Sequence, residues 1–114
     1  MPEIDAGQVR DSESVHRWFS SRLGLWGRGS VTDDLAETLT RFCTIVGKTP
    51  DQMIDDCLRP GKDGEVFTLR TRARRQYMDQ IERFEVETGS RDQANIVRSF
   101  FIHNGVAMNP SILV

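Results

Sequence analysis

The chain has 114 residues, 38% of them apolar and 28% charged, with a formal net charge of -2. This length supports one domain able to bury a core without disulfides or metal, and the composition excludes a disordered chain. The acidic balance excludes a wholly basic nucleic-acid binder. No apolar run approaches the roughly 20 residues of a membrane span and no signal-peptide pattern opens the chain, so the cytoplasm is the expected compartment.

Residues 1–11 lack periodicity and are expected to be a poorly ordered lead. From Ser12 the pattern predicts a short amphipathic helix capped by Ser12, with Val15, Trp18, Phe19 and Leu23 on one side. Gly24, Gly27 and Gly29 then break it, and Trp26 in this link reads as tucked against the core rather than as a base-stacking platform. These glycines lack the strand and phosphate-loop context of a nucleotide cradle.

A second helix is predicted over 32–46, with Thr32 as cap, Asp33, Asp34 and Glu37 near its positive end, and Gly47 as its stop. Leu35, Leu39, Phe42, Cys43 and Val46 recur at three- and four-residue spacing and mark its core face. Thr49-Pro50-Asp51-Gln52 starts a third helix: Thr49 caps, Pro50 fits the first turn and Gln52 closes a capping box. Met53, Ile54, Cys57 and Leu58 form its buried side, and 59–64 reads as an exposed, mobile loop in which Lys62 is available to phosphate.

A long fourth helix is predicted over 68–88, ended by Gly89, with Leu69, Ala73, Tyr77, Ile81 and Phe84 as its core stripe. Asp79, Arg83 and Glu87 sit at pairing distance along its back half. Its front half carries Arg70, Arg72, Arg74 and Arg75 with no acid among them. Arg70 and Arg74 are like charges at i,i+4, and the cluster lies at the positive end of the helix; each placement costs about 0.3 to 1 kcal/mol. That cost is met either by a phosphate backbone or by the acids Asp51, Asp55, Asp56, Asp63 and Glu65 within the molecule, and both remain open. Residues 65–68 are the one strand-like stretch, without a partner run.

The last helix runs from Ser90, whose hydroxyl caps with Gln93 reaching back, to Gly105, which takes the left-handed stop. Ala94, Val97, Phe100 and Phe101 make its buried stripe, while Arg91, Asn95 and Arg98 lie away from it. Five helices in an all-α bundle account for the pattern. Cys43 and Cys57 read as reduced core thiols. No Cys-x-x-Cys or paired His occurs, and His16 and His103 are surface or capping residues, so no metal or other cofactor is expected. No nucleophile stands beside a His, and the chain reads as non-catalytic by itself.

Val97-Arg98-Ser99-Phe100-Phe101, His103-Asn104-Gly105 and Asn109-Pro110 together resemble the end of the SAM-like core-binding domain of tyrosine recombinases, the phage integrase and Xer group. Thr32, Leu35, Leu39 and Phe42 resemble that domain's opening helix, and Lys48-Thr49-Pro50-Asp51 resembles a turn of archaeal-type integrases. The resemblance implies a four- to five-helix orthogonal bundle over 12–108, with 109–114 opening a linker to a catalytic domain that this chain lacks. It implies double-stranded DNA as partner, along with the catalytic domain of the same parent chain and other recombinase protomers on DNA. In that family the second and last helices lie across the major groove. Carried over by position, Thr32 and Arg41 face DNA from the second helix, and Arg91, Gln93, Asn95 and Arg98 from the last. Arg91 and Arg98 would reach phosphate or guanine, and Gln93 and Asn95 adenine. The family's nucleophilic tyrosine belongs to the absent catalytic domain, so Tyr77 is not that residue. The rival reading is a protein-interaction bundle in which the Arg cluster docks an acidic partner and the apolar tail, 106–114, packs on a neighbour.

Overall fold

The computed structural model describes residues 4–59 and 68–108. The loop with Lys62, the acids Asp63 and Glu65, and the Asn109-Pro110 linker lie outside the described residues. Among the described residues the protein is all-α apart from one two-residue strand pair.

Within the stretch read as the lead, Ala6–Arg10 form a helix, α1. Asp5 caps it by accepting from Gln8 N at 2.8 Å, and Val9 is fully buried where α1 packs on α3. Five residues with one core side chain are too few to show a period, which is why the pattern missed them.

Helix α2 (Glu13–Trp26) passes through Gly24 and ends only at Gly27. Val15 and Trp18 are fully buried, Phe19 is half-buried, and Leu23 is exposed rather than in the core. Ser12 sits at the N-cap, but its hydroxyl donates to Gln8 O at 3.1 Å instead of capping. A short 3₁₀ turn (Arg28–Ser30) leads to α3 (Asp33–Val46), which buries Leu35, Ala36, Thr38, Leu39, Phe42 and Cys43 and stops at left-handed Gly47. Thr32 holds the N-cap backbone position, with its hydroxyl turned to the Asp34 carboxylate. Helix α4 (Pro50–Cys57) has the predicted capping box, Gln52 N to Thr49 Oγ1 at 3.2 Å and Thr49 N to Gln52 Oε1 at 2.9 Å.

Leu58 leaves the helix. It opens β1 (Leu58–Arg59), which pairs antiparallel with β2 (Thr68–Leu69), Leu58 opposite Leu69. Thr68 therefore does have a partner run, and Leu69 belongs to a strand rather than to the core stripe of a helix. The extended pairing delays the start of α5 (Thr71–Thr88), and Arg70 N donates to Cys57 O at 2.6 Å. Tyr77, Ile81 and Phe84 are its buried residues.

Helix α6 (Arg91–His103) is central, packing against α2, α3 and α5. It ends in a Schellman turn: Val106 N donates to Phe101 O at 2.9 Å and Gly105 N to Ile102 O at 3.0 Å, with Gly105 at φ 88° where a Cβ would be strained. Val106 and Phe101 are both buried beneath it. Edge-on aromatic pairs knit the core, Trp18 to Phe100 at 5.6 Å and Phe42 to Phe84 at 5.5 Å. Cys43 and Cys57 are buried and unbonded, as expected of core thiols. Burial pushes them up to about 12 and about 11, with the Asp56 charge adding to the second.

Candidate functional site

The last helix uses most of its polar side chains internally. Arg98 has only 13% of its side chain exposed; its Nη1 donates to Glu85 Oε1 at 3.2 Å and to Asn95 Oδ1 at 2.9 Å. Asn95 is 4% exposed, so it lies in the packed face and not away from it. The predicted stripe was too narrow because α6 meets three helices. Ser99 is buried as well, accepting from Trp18 Nε1 and Arg22 Nη1, each at 2.9 Å.

Gln93 is half-buried. Ser90 Oγ accepts from Gln93 N at 3.1 Å, but the return half of the expected capping box is replaced by Ser90 N donating to Thr88 Oγ1 at 3.3 Å. Gln93 Oε1 and Asn95 Nδ2 are buried without a hydrogen-bond partner among the described residues. Arg91 is exposed, as are Thr32 and Arg41 on α3.

At the other end of α5, Arg70, Arg72 and Arg75 are exposed. Arg74 is not equivalent to them, because its Nε donates to Ala107 O at 2.6 Å and fastens the segment after α6 to α5. Of the acids weighed as an internal answer to this cluster, Asp51 accepts from Ser14 and Asp56 accepts from Tyr77, while Asp63 and Glu65 lie outside the described residues. Among the described residues the ion pairs are Arg10–Asp33, Arg17–Glu13, Lys48–Asp56 and Arg98–Glu85; none involves the Arg70 cluster, and none joins Arg83 to Asp79 or Glu87.

A groove of about 650 Å³ opens beside this cluster. Its long wall is the α5 ridge of Arg72, Gln76, Gln80 and Arg83, with Arg70 at its head and Ala73 and Tyr77 along its base. The facing wall is Val46, Lys48 and Asp56. Tyr77 Oη donates to Asp56 Oδ2 at 2.5 Å, and Lys48 Nζ lies 3.9 Å from the same oxygen. Burial, and then the bond to Asp56, raise the phenol strongly, so Tyr77 stays a proton donor and is suited neither to nucleophilic attack nor to base chemistry. Lys48, Gln76, Gln80 and Arg83 were not among the residues singled out from sequence as contacts. Their signal is the polar spacing i, i+4, i+8, i+11 from Arg72 along one α5 ridge.

Trp26 is 47% exposed and not tucked into the core. Because α2 continues to residue 26, the indole stays on the helix surface, with the Arg22 guanidinium 5.1 Å from its ring and His103 edge-on at 5.4 Å. Ser21 Oγ lies 2.7 Å from His103 Nδ1. Burial lowers Arg22, and Asp34 partly offsets that shift. The tail that the interaction reading assigned to a neighbour is, over Val106 and Met108, buried in the chain's own core.

Among the described residues no group of three or more His, Cys, Asp or Glu is placed to hold a metal ion, and no helix is long and apolar enough to cross a membrane. No family model matches the chain, and neither a curated protein nor a solved structure matches it.

Proposed function

We propose that this chain is a non-catalytic helical domain that binds double-stranded DNA through phosphate contacts from the start of α5. The observation that carries the proposal is the state of Arg70, Arg72 and Arg75. They are exposed at the N-terminal end of α5, and none forms an ion pair among the described residues, whereas Arg10, Arg17, Lys48 and Arg98 each have a carboxylate. Like charges held together with no ion pair of their own among the described residues favour a polyanion, and arginine forks onto phosphate oxygens.

In its finer form the reading is the core-binding arm of a tyrosine-type recombinase, with a SAM-like bundle clamping a half-site beside a catalytic domain and other protomers. That form rests on the sequence resemblance, and the all-α fold with a Gly105 turn closing its last helix agrees with it. The contact set differs from the one carried over by position. Arg98 and Asn95 act as internal fasteners, and Arg91, at the start of α6, is separated from Arg70 by the whole of α5, an 18-residue helix about 27 Å long. A duplex touching both would run along α5.

The test is an NMR titration of the labelled chain with a short duplex at two salt concentrations. Salt-sensitive shifts at Arg70, Arg72 and Arg75 are expected, with affinity in the non-specific range of about 10⁻⁴ to 10⁻⁶ M. Absence of shifts at low salt contradicts the proposal.

A further inference from the structure

We propose that the groove between α5 and the α3–α4 turn, which shares Arg70 and Arg72 with the proposed DNA surface, is a site for a compact polyphosphate, that is, a chain of two or three linked phosphates, either free or carried on a nucleotide. At about 650 Å³ it has the capacity of a small-molecule site, whereas a duplex lies across such an opening and does not enter it.

Charge selects the class of ligand. Lys48, Arg70, Arg72 and Arg83 line the groove against Asp56 and Asp79, four cations to two carboxylates, a balance of +2. The Asp56 oxygen is already taken by the Tyr77 hydroxyl at 2.5 Å and by Lys48 at 3.9 Å, so this acid does little to satisfy the three arginines. None of the three forms an ion pair among the described residues. A monoanion leaves part of that surplus unmatched, whereas a phosphate chain carries at least two negative charges and spreads them over oxygens that guanidinium groups bind in pairs.

Shape agrees with charge. Arg72 and Arg83 stand eleven residues apart on one ridge, about 16 Å along the axis, with the neutral amides of Gln76 and Gln80 between them. Arginine side chains reach well beyond the helix axis, so guanidinium groups from the two ends of the ridge would close on one compact anion, with the amides of Gln76 and Gln80 donating to its oxygens between them. The walls are mostly polar, with Val46 and Ala73 the small apolar exceptions, which fits a hydrated phosphate chain better than an apolar side chain.

The experiment is a titration of the full labelled chain with sodium tripolyphosphate and, separately, with ATP, followed by NMR and by calorimetry. Tripolyphosphate is expected to shift Lys48, Gln76, Gln80 and Arg83, and Arg83→Ala, an exposed change, to weaken it by about tenfold or more. Equal affinity for the two probes identifies the phosphate chain as the whole ligand, and tighter ATP binding identifies a nucleotide; either supports the site. Shifts confined to Arg70 and Arg75, or affinity unchanged in both Arg83→Ala and Gln80→Ala, overturns it. Arg83 is outside the proposed DNA contacts. A duplex that binds the parent chain while tripolyphosphate fails on it sinks the groove alone, and tripolyphosphate that binds the parent chain while the duplex fails on it sinks the DNA reading alone.

Discussion

Asp51 Oδ1, on the first turn of α4, accepts from Ser14 N at 2.9 Å and from Ser14 Oγ at 2.6 Å, so a residue 37 positions away caps the start of α2. The hydroxyl of Ser12 performs no such role, and one carboxylate therefore serves the positive ends of two helices. Asp51→Ala should destabilise the fold by about 1 kcal/mol, the lower end for a charged hydrogen bond because the group is part-exposed. Burial alone would raise this carboxyl, but the Ser14 side-chain and backbone bonds, the Glu13 backbone and the nearby Arg17 charge outweigh it and lower it below the ordinary 3.8. A depressed folded value means the stabilisation is fully present above pH 3.8 and is lost as pH falls through the lower folded value. Denaturant melts of the parent chain and Asp51→Ala across that interval should converge at the acid end.

Asn104 ties the end of α6 to α2. Its Nδ2 donates to Ser14 O and Phe100 O, both at 2.9 Å, and its Oδ1 accepts from Arg17 Nε at 2.9 Å. Asn104→Ala leaves two carbonyls without this donor and should cost about 1 to 3 kcal/mol; Asn104→Asp should cost more, since a carboxylate cannot donate to either. Both should lower the denaturation midpoint without changing the slope.

Arg98→Ala separates a fastening role from a DNA-contacting one. With its guanidinium on Glu85 and Asn95, removal should cost about 1 to 3 kcal/mol and leave duplex affinity within about twofold. A double-mutant cycle with Glu85→Gln should show positive coupling between the two residues. A large loss of DNA affinity in a well-folded Arg98→Ala protein would return this residue to the interface.

The thiols at Cys43 and Cys57 should resist modification. With burial holding them at about 12 and about 11, the reactive thiolate is scarce at pH 8 and shielded from reagent. A disulfide-forming colour reagent should label neither in native protein and both after unfolding; rapid native labelling would place one of them at the surface.

Local chemistry was legible in the sequence where one segment contained all of it. The Thr49 capping box, the Gly47 and Gly89 stops, the Gly105 turn and the core residues of α3 depend on neighbours within a few positions. What was hidden depends on distant partners. Leu58 pairs with Leu69 across a loop, Ser14 takes its cap from Asp51, and Asn95 and Ser99 are buried because α6 has helices on three sides. The same holds for the site. The cluster over 70–75 announced itself by its missing acids, but only the fold separates Arg74, spent on Ala107, from Arg70, Arg72 and Arg75. The facing wall of the groove, Lys48 with Asp56, comes from a turn and helix that no α5 pattern could reveal.

The most direct test of DNA binding is the anisotropy of a labelled duplex titrated with the parent chain and with Arg70→Ala, Arg72→Ala and Arg75→Ala combined, over a series of salt concentrations. Three lost phosphate contacts should flatten the slope of log affinity against log salt by about 2.7. An unchanged slope and affinity in the triple variant, with the fold intact, would contradict the assignment of the DNA-binding surface to the start of α5.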